Sequence, residues 1–168
     1  MNKELLGAVL LGVAIFTFRF IPNPDNFTPL LALTLGVGFL GRGNWYVFLI
    51  PVVAMLAADL NFGLYPGWAF TYIPLVAIAY LGTTSQPKFT RMAGLAFSAS
   101  ALFFIVSNFG VWMSSGMYPK TMEGLWTCYL AAVPFFHKTL AGTLVYTGLL
   151  FTTLYWALNY SRKRVMGQ

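Results

Sequence analysis

The amino-acid sequence predicts an all-α integral membrane protein with about six transmembrane helices, and three observations support this fold class. Of the 168 residues, 58% are hydrophobic and only 8% are charged, whereas a soluble domain carries about 25% charged residues. Apolar stretches recur along the chain and are separated by Pro, Gly, Asn or charged residues. Basic residues concentrate in alternate connections. Because no linker divides this pattern, we expect a single transmembrane domain over residues 1–168.

The apolar stretches give the predicted helices, which in chain order are residues 5–20, 28–41, 45–61, 68–82, 92–113 and 139–160. The first ends on Arg19 without a small-residue cleavage site, so we expect a retained helix rather than a signal peptide. Several stretches are shorter than the ~20 residues that cross a ~30 Å hydrocarbon core. Short, Pro-interrupted helices are typical of transporters, where they end beside a protein-lined cavity.

A further apolar stretch at residues 122–136 is assigned from the distribution of charge. With six helices and an inner N-terminus, the inner side collects Lys3, Arg42, Lys88, Arg91, Arg162, Lys163 and Arg164, and the outer side has Arg19, Lys120 and Lys138. This asymmetry obeys the positive-inside rule, and a seventh crossing would reverse it. We therefore expect 122–136 to form a re-entrant or surface helix on the outer side.

The same topology predicts a multi-pass protein of the bacterial inner (cytoplasmic) membrane with both termini in the cytoplasm. The net charge of +6 is then explained by topology. A nucleic-acid partner is not expected, because the chain has no basic stripe with interleaved aromatic residues. The expected surroundings are the lipid bilayer and a small-molecule solute.

Polar and aromatic residues gather at the predicted outer ends of the helices, above all in RFIPNPDNFTP at residues 19–29. Such a set is expected to form a site that captures a solute from outside. The alternative is ordinary loop hydrophilicity, which also places polar residues outside the core. The predicted substrate-binding residues are Arg19, Asn26, Asp59, Asn108, Trp112, Tyr118, Lys120 and Glu123.

Three of these residues have a structural interpretation as well. Arg19 and Asp59 end apolar runs, where a charge needs a partner, so they either contact the ligand or pair with each other as a clamp between the first and third helices. Asn108 lies inside a long apolar stretch, where a buried amide needs hydrogen bonds. It either binds the ligand or supports a kink beside Gly110.

Cys128 and His137 are candidate metal ligands only if the bound solute carries a metal. Apart from methionine, they are the chain's only soft or borderline donors. Their ordinary interpretations are a small buried hydrophobic residue and an interfacial histidine. No zinc-type spacing, P-loop or dinucleotide-binding glycine pattern occurs, and one His with four carboxylates leaves few groups for acid–base catalysis. We do not expect an enzyme, and the sequence leaves the cofactor unknown.

Small residues recur along the first helix, where Gly7 lies beside Ala8 and Gly12, which have a small-xxx-small spacing. Such a face allows another helix to approach closely. It serves either internal packing or docking onto a partner membrane subunit.

Four blocks resemble signature blocks of a bacterial family of domains of unknown function that are proposed transport proteins. They are RFIPNPDNFTP, AADLNFG, SNFGVW and MYPKTMEGLWTCYLAAVPFF, and they span most of the chain from Arg19 to Phe136. Asn23 and Asp25 depart from the family pattern, in which a His and a second Pro are frequent. That family is similar, more loosely, to the substrate-binding S-components of energy-coupling factor (ECF) vitamin transporters.

This resemblance implies an S-component-like fold and a membrane-embedded substrate-capture subunit for uptake of a vitamin or micronutrient. Such a subunit works with or without an ECF-type coupling subunit and ATPases, and the small residues of the first helix would contact that coupling subunit. A cobalamin-like corrinoid is the first candidate, because Cys128 or His137 would approach its metal. Riboflavin, thiamine, biotin and a metal ion stay open.

A second hypothesis is an accessory structural subunit of a larger respiratory or photosynthetic membrane complex. Its aromatic and Gly-rich helices would pack against partner subunits or bind a quinone, haem or pigment. The two hypotheses differ in where the polar residues point, because a transporter needs them in a cavity and a structural subunit needs them on loops or partner surfaces.

Overall fold

The computed structural model describes residues 3–24, 26–84 and 89–166, and within these ranges the chain is helical without any strand. The all-α prediction is confirmed. The elements are α1 (Lys3–Phe18), α2 (Leu30–Leu40), a 3₁₀ turn (Trp45–Leu49) that leads into α3 (Ile50–Phe62), α4 (Trp68–Thr83), α5 (Phe89–Ser114) and α6 (Met122–Met166).

Within the described part of the chain, three helices are long and apolar enough to cross a membrane, and they indicate a membrane protein. They are Trp45–Phe62, which joins the 3₁₀ turn to α3, Thr90–Ser114 and Met122–Ala157. The helices α2 and α4 are apolar but shorter. At 1.5 Å per residue, the 11 residues of α2 extend about 16 Å, roughly half of the hydrocarbon thickness. The expected set of about six crossing helices is therefore a mixture of long and short helices.

The expected re-entrant or surface helix at 122–136 does not exist as a separate element. It is the first third of α6, a 45-residue helix that continues through the predicted sixth helix and contains Pro134. A proline inside a helix removes a hydrogen bond, but contacts with α5 support this part of the helix. Tyr129 donates to the carbonyl of Ile105 at 2.7 Å, and the Phe136 ring lies 5.1 Å from that of Phe104.

The short helix α2 occupies the centre of the bundle. All of its residues from Leu31 to Gly38 are buried, and α1, α4 and α6 pack against it. A helix that is apolar on every side suits this position, because it has no face turned to water. Four of the largest fully buried side chains belong to α2 and its neighbour α4, and they are Leu35, Val37, Leu75 and Ile78.

The backbones of α2 and α4 approach most closely where two glycines face each other. A Cβ atom on Gly38 would overlap the carbonyl oxygen of Ala79, and one on Gly82 would overlap the carbonyl oxygen of Leu35. Side chains larger than hydrogen at these positions would separate the helices, as at other small-residue crossings in membranes. The packing of the central helix therefore depends on this glycine pair.

The small residues of α1 also serve packing inside the bundle. Ala8 is fully buried, a Cβ atom on Gly7 would lie 2.9 Å from Leu40 Cδ1, and one on Gly12 would overlap the side chain of Ile50. The predicted partner-docking face of Gly7, Ala8 and Gly12 is thus covered by α2 and α3.

The close approach of α2 and α4 predicts that Gly38→Ala destabilises the protein by roughly 1–3 kcal/mol, as overpacking of a core does. Gly148→Ala is the matched control, because nothing lies within 4 Å of its added Cβ atom. Alanine there should hold or raise stability, since it favours a helix by about 1 kcal/mol over glycine. Thermal melting of both variants in detergent provides the comparison, and equal melting temperatures would contradict the observed packing.

Candidate solute-binding site

The connection between α1 and α2 lies at the distal end of the bundle, which we define as the end where α1, α3 and α5 finish. This end corresponds to the predicted outer side. The Asn23 amide donates to the carbonyl oxygens of Phe18 at 3.2 Å and Ile21 at 2.6 Å, which satisfies backbone groups at the end of α1. Asn26 has a φ of 60°, a left-handed conformation that asparagine tolerates. Asp25 lies outside the described residues.

Asp59 forms the electrostatic centre of the distal end. It is only 1% exposed, and its Oδ1 accepts a 2.7 Å hydrogen bond from Arg19 Nε. Its Oδ2 accepts a second bond, at 2.6 Å, from the hydroxyl of Tyr72. A buried carboxylate needs both a cation and hydrogen bonds to offset its desolvation. Asp59 on α3 is thereby joined to Arg19, which directly follows α1, and to Tyr72 on α4.

This geometry supports the clamp interpretation of Asp59. Both of its oxygens are engaged and it does not line the cavity described below, so we do not assign it a ligand contact. Arg19 has both roles, since its side chain is 41% exposed and lines that cavity. Its guanidinium also lies 5.7 Å from the Phe62 ring, which restricts its orientation.

A cavity of about 480 Å³ opens beside this clamp and is lined by residues of the connection between α1 and α2 and by residues from α2 through α6. Its polar lining includes three predicted site residues, Arg19, Asn26 and Asn108, and its hydrophobic lining includes Phe103, Phe104, Phe135 and Phe136. An adjoining pocket of about 260 Å³ shares Arg19 and Asn26, and another of about 360 Å³ shares Tyr65, Thr71 and Ser107. We call the 480 Å³ cavity the distal cavity.

Asn108 is held in this cavity by its own helix. Its Nδ2 donates to the carbonyl oxygen of Phe104 at 2.8 Å, one turn earlier in α5. Gly110, on the next turn, is packed against Phe70, whose side chain would overlap an added Cβ atom. The glycine therefore permits α4 to approach α5. Asn108 is left with its Oδ1 available to a solute.

Tyr65 lies in the loop between α3 and α4 and borders both the 480 Å³ cavity and the adjoining 360 Å³ pocket. Its hydroxyl donates a 2.5 Å hydrogen bond to Thr71 Oγ1. Burial raises the pKa of the Tyr65 hydroxyl above its ordinary value, because a low-dielectric environment disfavours the phenolate. A tyrosine hydroxyl is protonated at physiological pH even at its ordinary pKa, so this one is available to donate to Thr71.

Four predicted site residues form the connection between α5 and α6 instead of lining the cavity. Trp112 Nε1 donates to the Pro119 carbonyl at 2.9 Å, and Lys120 Nζ donates to the Trp112 carbonyl and lies 5.4 Å from the Trp112 ring. Tyr118 is half-buried in this loop. Glu123 is exposed in the first turn of α6, where a negative charge is favourable. These residues stabilise the hairpin that α5 and α6 form.

The structure does not bring Cys128 and His137 together. They are separated by two and a half turns of α6, which puts them on opposite sides of the helix and about 13 Å apart along its axis. Cys128 is buried, with its Sγ 3.5 Å from the carbonyl oxygen of Asn108, whereas His137 is exposed. Among the described residues, no group of three or more His, Cys, Asp or Glu side chains is placed to hold a metal.

Other lining residues were not identified from the sequence. They are Tyr65, Thr71, Ser107 and Thr139, together with the four phenylalanines. Ser107 directly precedes Asn108, so a polar pair inside an apolar helix was a usable signal. Thr139 had no such signal, because its position opposite α5 depends on the continuous course of α6.

Comparisons with known proteins place the chain in a family. The model of a family of unknown function, DUF6580, matches residues 1–165. The chain belongs to this family. No curated protein and no solved structure matches it. Membership of DUF6580 therefore supplies no activity, and the function has to be argued from the site.

The clamp predicts that Asp59→Ala lowers the free energy of unfolding by on the order of 2–3 kcal/mol, because the buried Tyr72 hydroxyl loses its acceptor and Arg19 loses its counter-charge. Tyr72→Phe removes a single hydrogen bond and should cost about 1 kcal/mol. Melting temperatures measured in detergent would test this order. Glu123→Ala is the control, with an expected change within about 0.5 kcal/mol. A melting temperature for Asp59→Ala equal to that of the control would refute the clamp.

Proposed function

We propose that this member of DUF6580 is a membrane-embedded capture protein for a small solute of the vitamin or micronutrient class, which it binds in the distal cavity. The observation that carries the proposal is the cavity itself, about 480 Å³ in volume and lined by both polar and aromatic side chains. Ligand sites of proteins have volumes of roughly 300–1,000 Å³ and the same mixed lining.

The helical framework supports a site within the membrane. The half-length helix α2 begins at the cavity, where Thr28 and Leu30 are lining residues. Irregular backbone within a membrane is tolerated where it lines a cavity, and interrupted helices at a substrate site are typical of transporters. The segment 19–29 satisfies that condition, since Arg19, Asn26 and Thr28 all line the cavity.

The position of the polar side chains favours solute capture over an accessory structural role. Arg19, Asn26 and Asn108 line a common cavity, as a capture protein requires. An accessory subunit would direct such residues toward partner surfaces. Trp112, near the end of α5, and Lys120, in the loop that follows, do lie outside the cavity lining, but their hydrogen bonds fasten that loop to α5.

The size and lining of the cavity favour a mono- or bicyclic solute over a corrinoid. The corrinoid candidate depended on Cys128 or His137 approaching a metal, and neither residue lines the cavity. A cavity of 480 Å³ is also small for a macrocycle that carries a nucleotide loop. A vitamin-sized aromatic compound can contact the phenylalanines and still reach the polar side chains.

Release of the solute to the inner side would need a conformational change, because the cavity opens at the distal end. The chain has no nucleotide-binding motif, so a coupling subunit and ATPases of the ECF type would supply the energy in an S-component-like mechanism. Such a subunit would contact lipid-facing surface rather than Gly7, Ala8 and Gly12, which are occupied by α2 and α3.

Native mass spectrometry of protein purified gently from its own host tests this proposal. We expect the wild type to carry a small molecule and Asn108→Leu to lose it. Asn61→Leu is the matched control, because Asn61 also donates to a carbonyl four residues earlier in its helix but is exposed and outside the cavity lining. It should retain the molecule.

Retention of the molecule by a folded Asn108→Leu variant would exclude the distal cavity as the binding site. Stoichiometric protein partners without any small molecule would instead favour the accessory-subunit hypothesis. The melting temperature of each variant shows that it is folded.

A further inference from the structure

One wall of the distal cavity consists mainly of hydrogen-bond acceptors. Ser107 Oγ donates its proton to the Phe103 carbonyl at 2.6 Å, and Thr139 Oγ1 donates to the Phe135 carbonyl at 3.1 Å. A hydroxyl has a single proton, so both oxygens can only accept further bonds. Asn108 adds the acceptor Oδ1 and, because Nδ2 uses one of its two protons within α5, one N–H donor beside it. The α5 and α6 side of the cavity thus offers three acceptor oxygens to a solute.

Arg19 gives the same cavity a donor group. Its guanidinium has N–H donors and no acceptor, and only Nε is used by Asp59. No described residue accepts a hydrogen bond from its Nη1 or Nη2 groups, although the side chain is 41% exposed and lines the cavity. Two adjacent N–H-bearing nitrogens in one plane match a carboxylate or phosphate in a bidentate arrangement.

The charges around the cavity restrict the solute further. Among the described lining residues Arg19 is the sole ionised side chain, and no carboxylate is present. Asp59, the partner of Arg19, is buried with both oxygens engaged. A cationic group on the solute would therefore lack a counter-charge beside the acceptor oxygens. Neutral N–H or O–H groups satisfy those oxygens without that cost.

Much of the same α5 and α6 lining is hydrophobic. The rings of Phe104 and Phe136 lie 5.1 Å apart in a tilted arrangement, and Phe103 and Phe135 line the same cavity. These two rings contact each other, and the parts of the aromatic side chains that line the cavity favour contact with a planar ring of a solute.

We infer that the solute is a mono- or bicyclic aromatic compound with a carboxylate or phosphate at one end and neutral N–H or O–H donors at the other. The anionic end contacts Arg19, the ring lies among the phenylalanines, and the donor end contacts Ser107, Asn108 and Thr139. This inference rests on the proposed function and names the substrate class of the same cavity.

Binding of matched probes to the purified full-length protein in detergent tests this inference by calorimetry. The probes are benzene, indole and purine rings that each carry a carboxyl group and N–H or O–H donors. Each ring is prepared in four forms, in which the carboxyl group is either free or a methyl ester and the donors are either free or methylated. For at least one ring, the carboxylate with free donors should bind about fivefold or more tightly than either singly blocked form, since one hydrogen bond contributes about 1 kcal/mol.

A variant isolates the acceptor wall. Thr139→Val removes one acceptor oxygen at nearly constant shape, and it should weaken the carboxylate with free donors about fivefold without affecting its methylated form. Thr152→Val is the matched control, because Thr152 also donates to a carbonyl four residues earlier, that of Gly148, but is exposed and outside the cavity lining. It should bind every probe as the wild type does.

The outcomes separate the inference from the proposed function. Equal or tighter binding of the methylated or esterified probes, reduced by Asn108→Leu, would overturn the inferred substrate class while the cavity remained a solute site. Loss of affinity for the methylated probe in Thr139→Val would equally contradict the acceptor role. Failure of every probe to bind folded protein at millimolar concentration would count against both the inference and the proposed function.

Discussion

The buried carboxylate of Asp59 organises the distal end of this protein. An ionised side chain that is 1% exposed is costly in an apolar bundle unless a cation and hydrogen-bond donors accompany it. Arg19 and Tyr72 satisfy this requirement from two neighbouring parts of the chain. Because Arg19 binds Asp59 through Nε alone, its outer nitrogens remain directed to other partners. The interaction that stabilises the helix ends therefore also leaves a guanidinium in the cavity lining.

The central position of α2 connects this clamp to the solute site. A helix of 11 residues is too short to cross the hydrocarbon core, and Arg19, Asn26 and Thr28 of the connection before it line the cavity. Close contact at Gly38 and Gly82 holds α2 against α4, and α6 packs along another of its sides. The distal cavity occupies the space beyond the start of α2. A full-length second helix would fill that space with its own first turns.

The sequence predicted the helical class, the number of helices and most of their bounds, because apolar segments separated by Pro, Gly and charged residues report burial directly. Three of the predicted substrate-binding residues, Arg19, Asn26 and Asn108, line the cavity, and the Arg19–Asp59 pair was one of the alternatives offered. The separate helix expected at 122–136 was wrong, since it was assigned from the distribution of charge, whereas the contacts with α5 that hold this segment within α6 are invisible in a sequence.

The remaining site residues depended on tertiary structure. Whether Trp112 and Lys120 line a cavity or close a loop is decided by the path of residues 115–121, and Thr139 reaches the cavity only through the continuous course of α6. The role of Gly7, Ala8 and Gly12 was likewise open between internal and external packing, and the positions of Leu40 and Ile50 decide it. Residue type predicted which side chains needed partners, and the fold determined which partners they found.

The most direct test of the central claim, a water-filled cavity open at the distal end, is the alkylation rate of single cysteines in membrane vesicles. In a Cys128→Ser background, Ser107→Cys lines the cavity, whereas Ser100→Cys, two turns away on the same helix, is fully buried. A membrane-impermeant maleimide should modify Ser107→Cys at least roughly tenfold faster than Ser100→Cys, and only from the distal side. Equal, slow rates for both would contradict an open cavity.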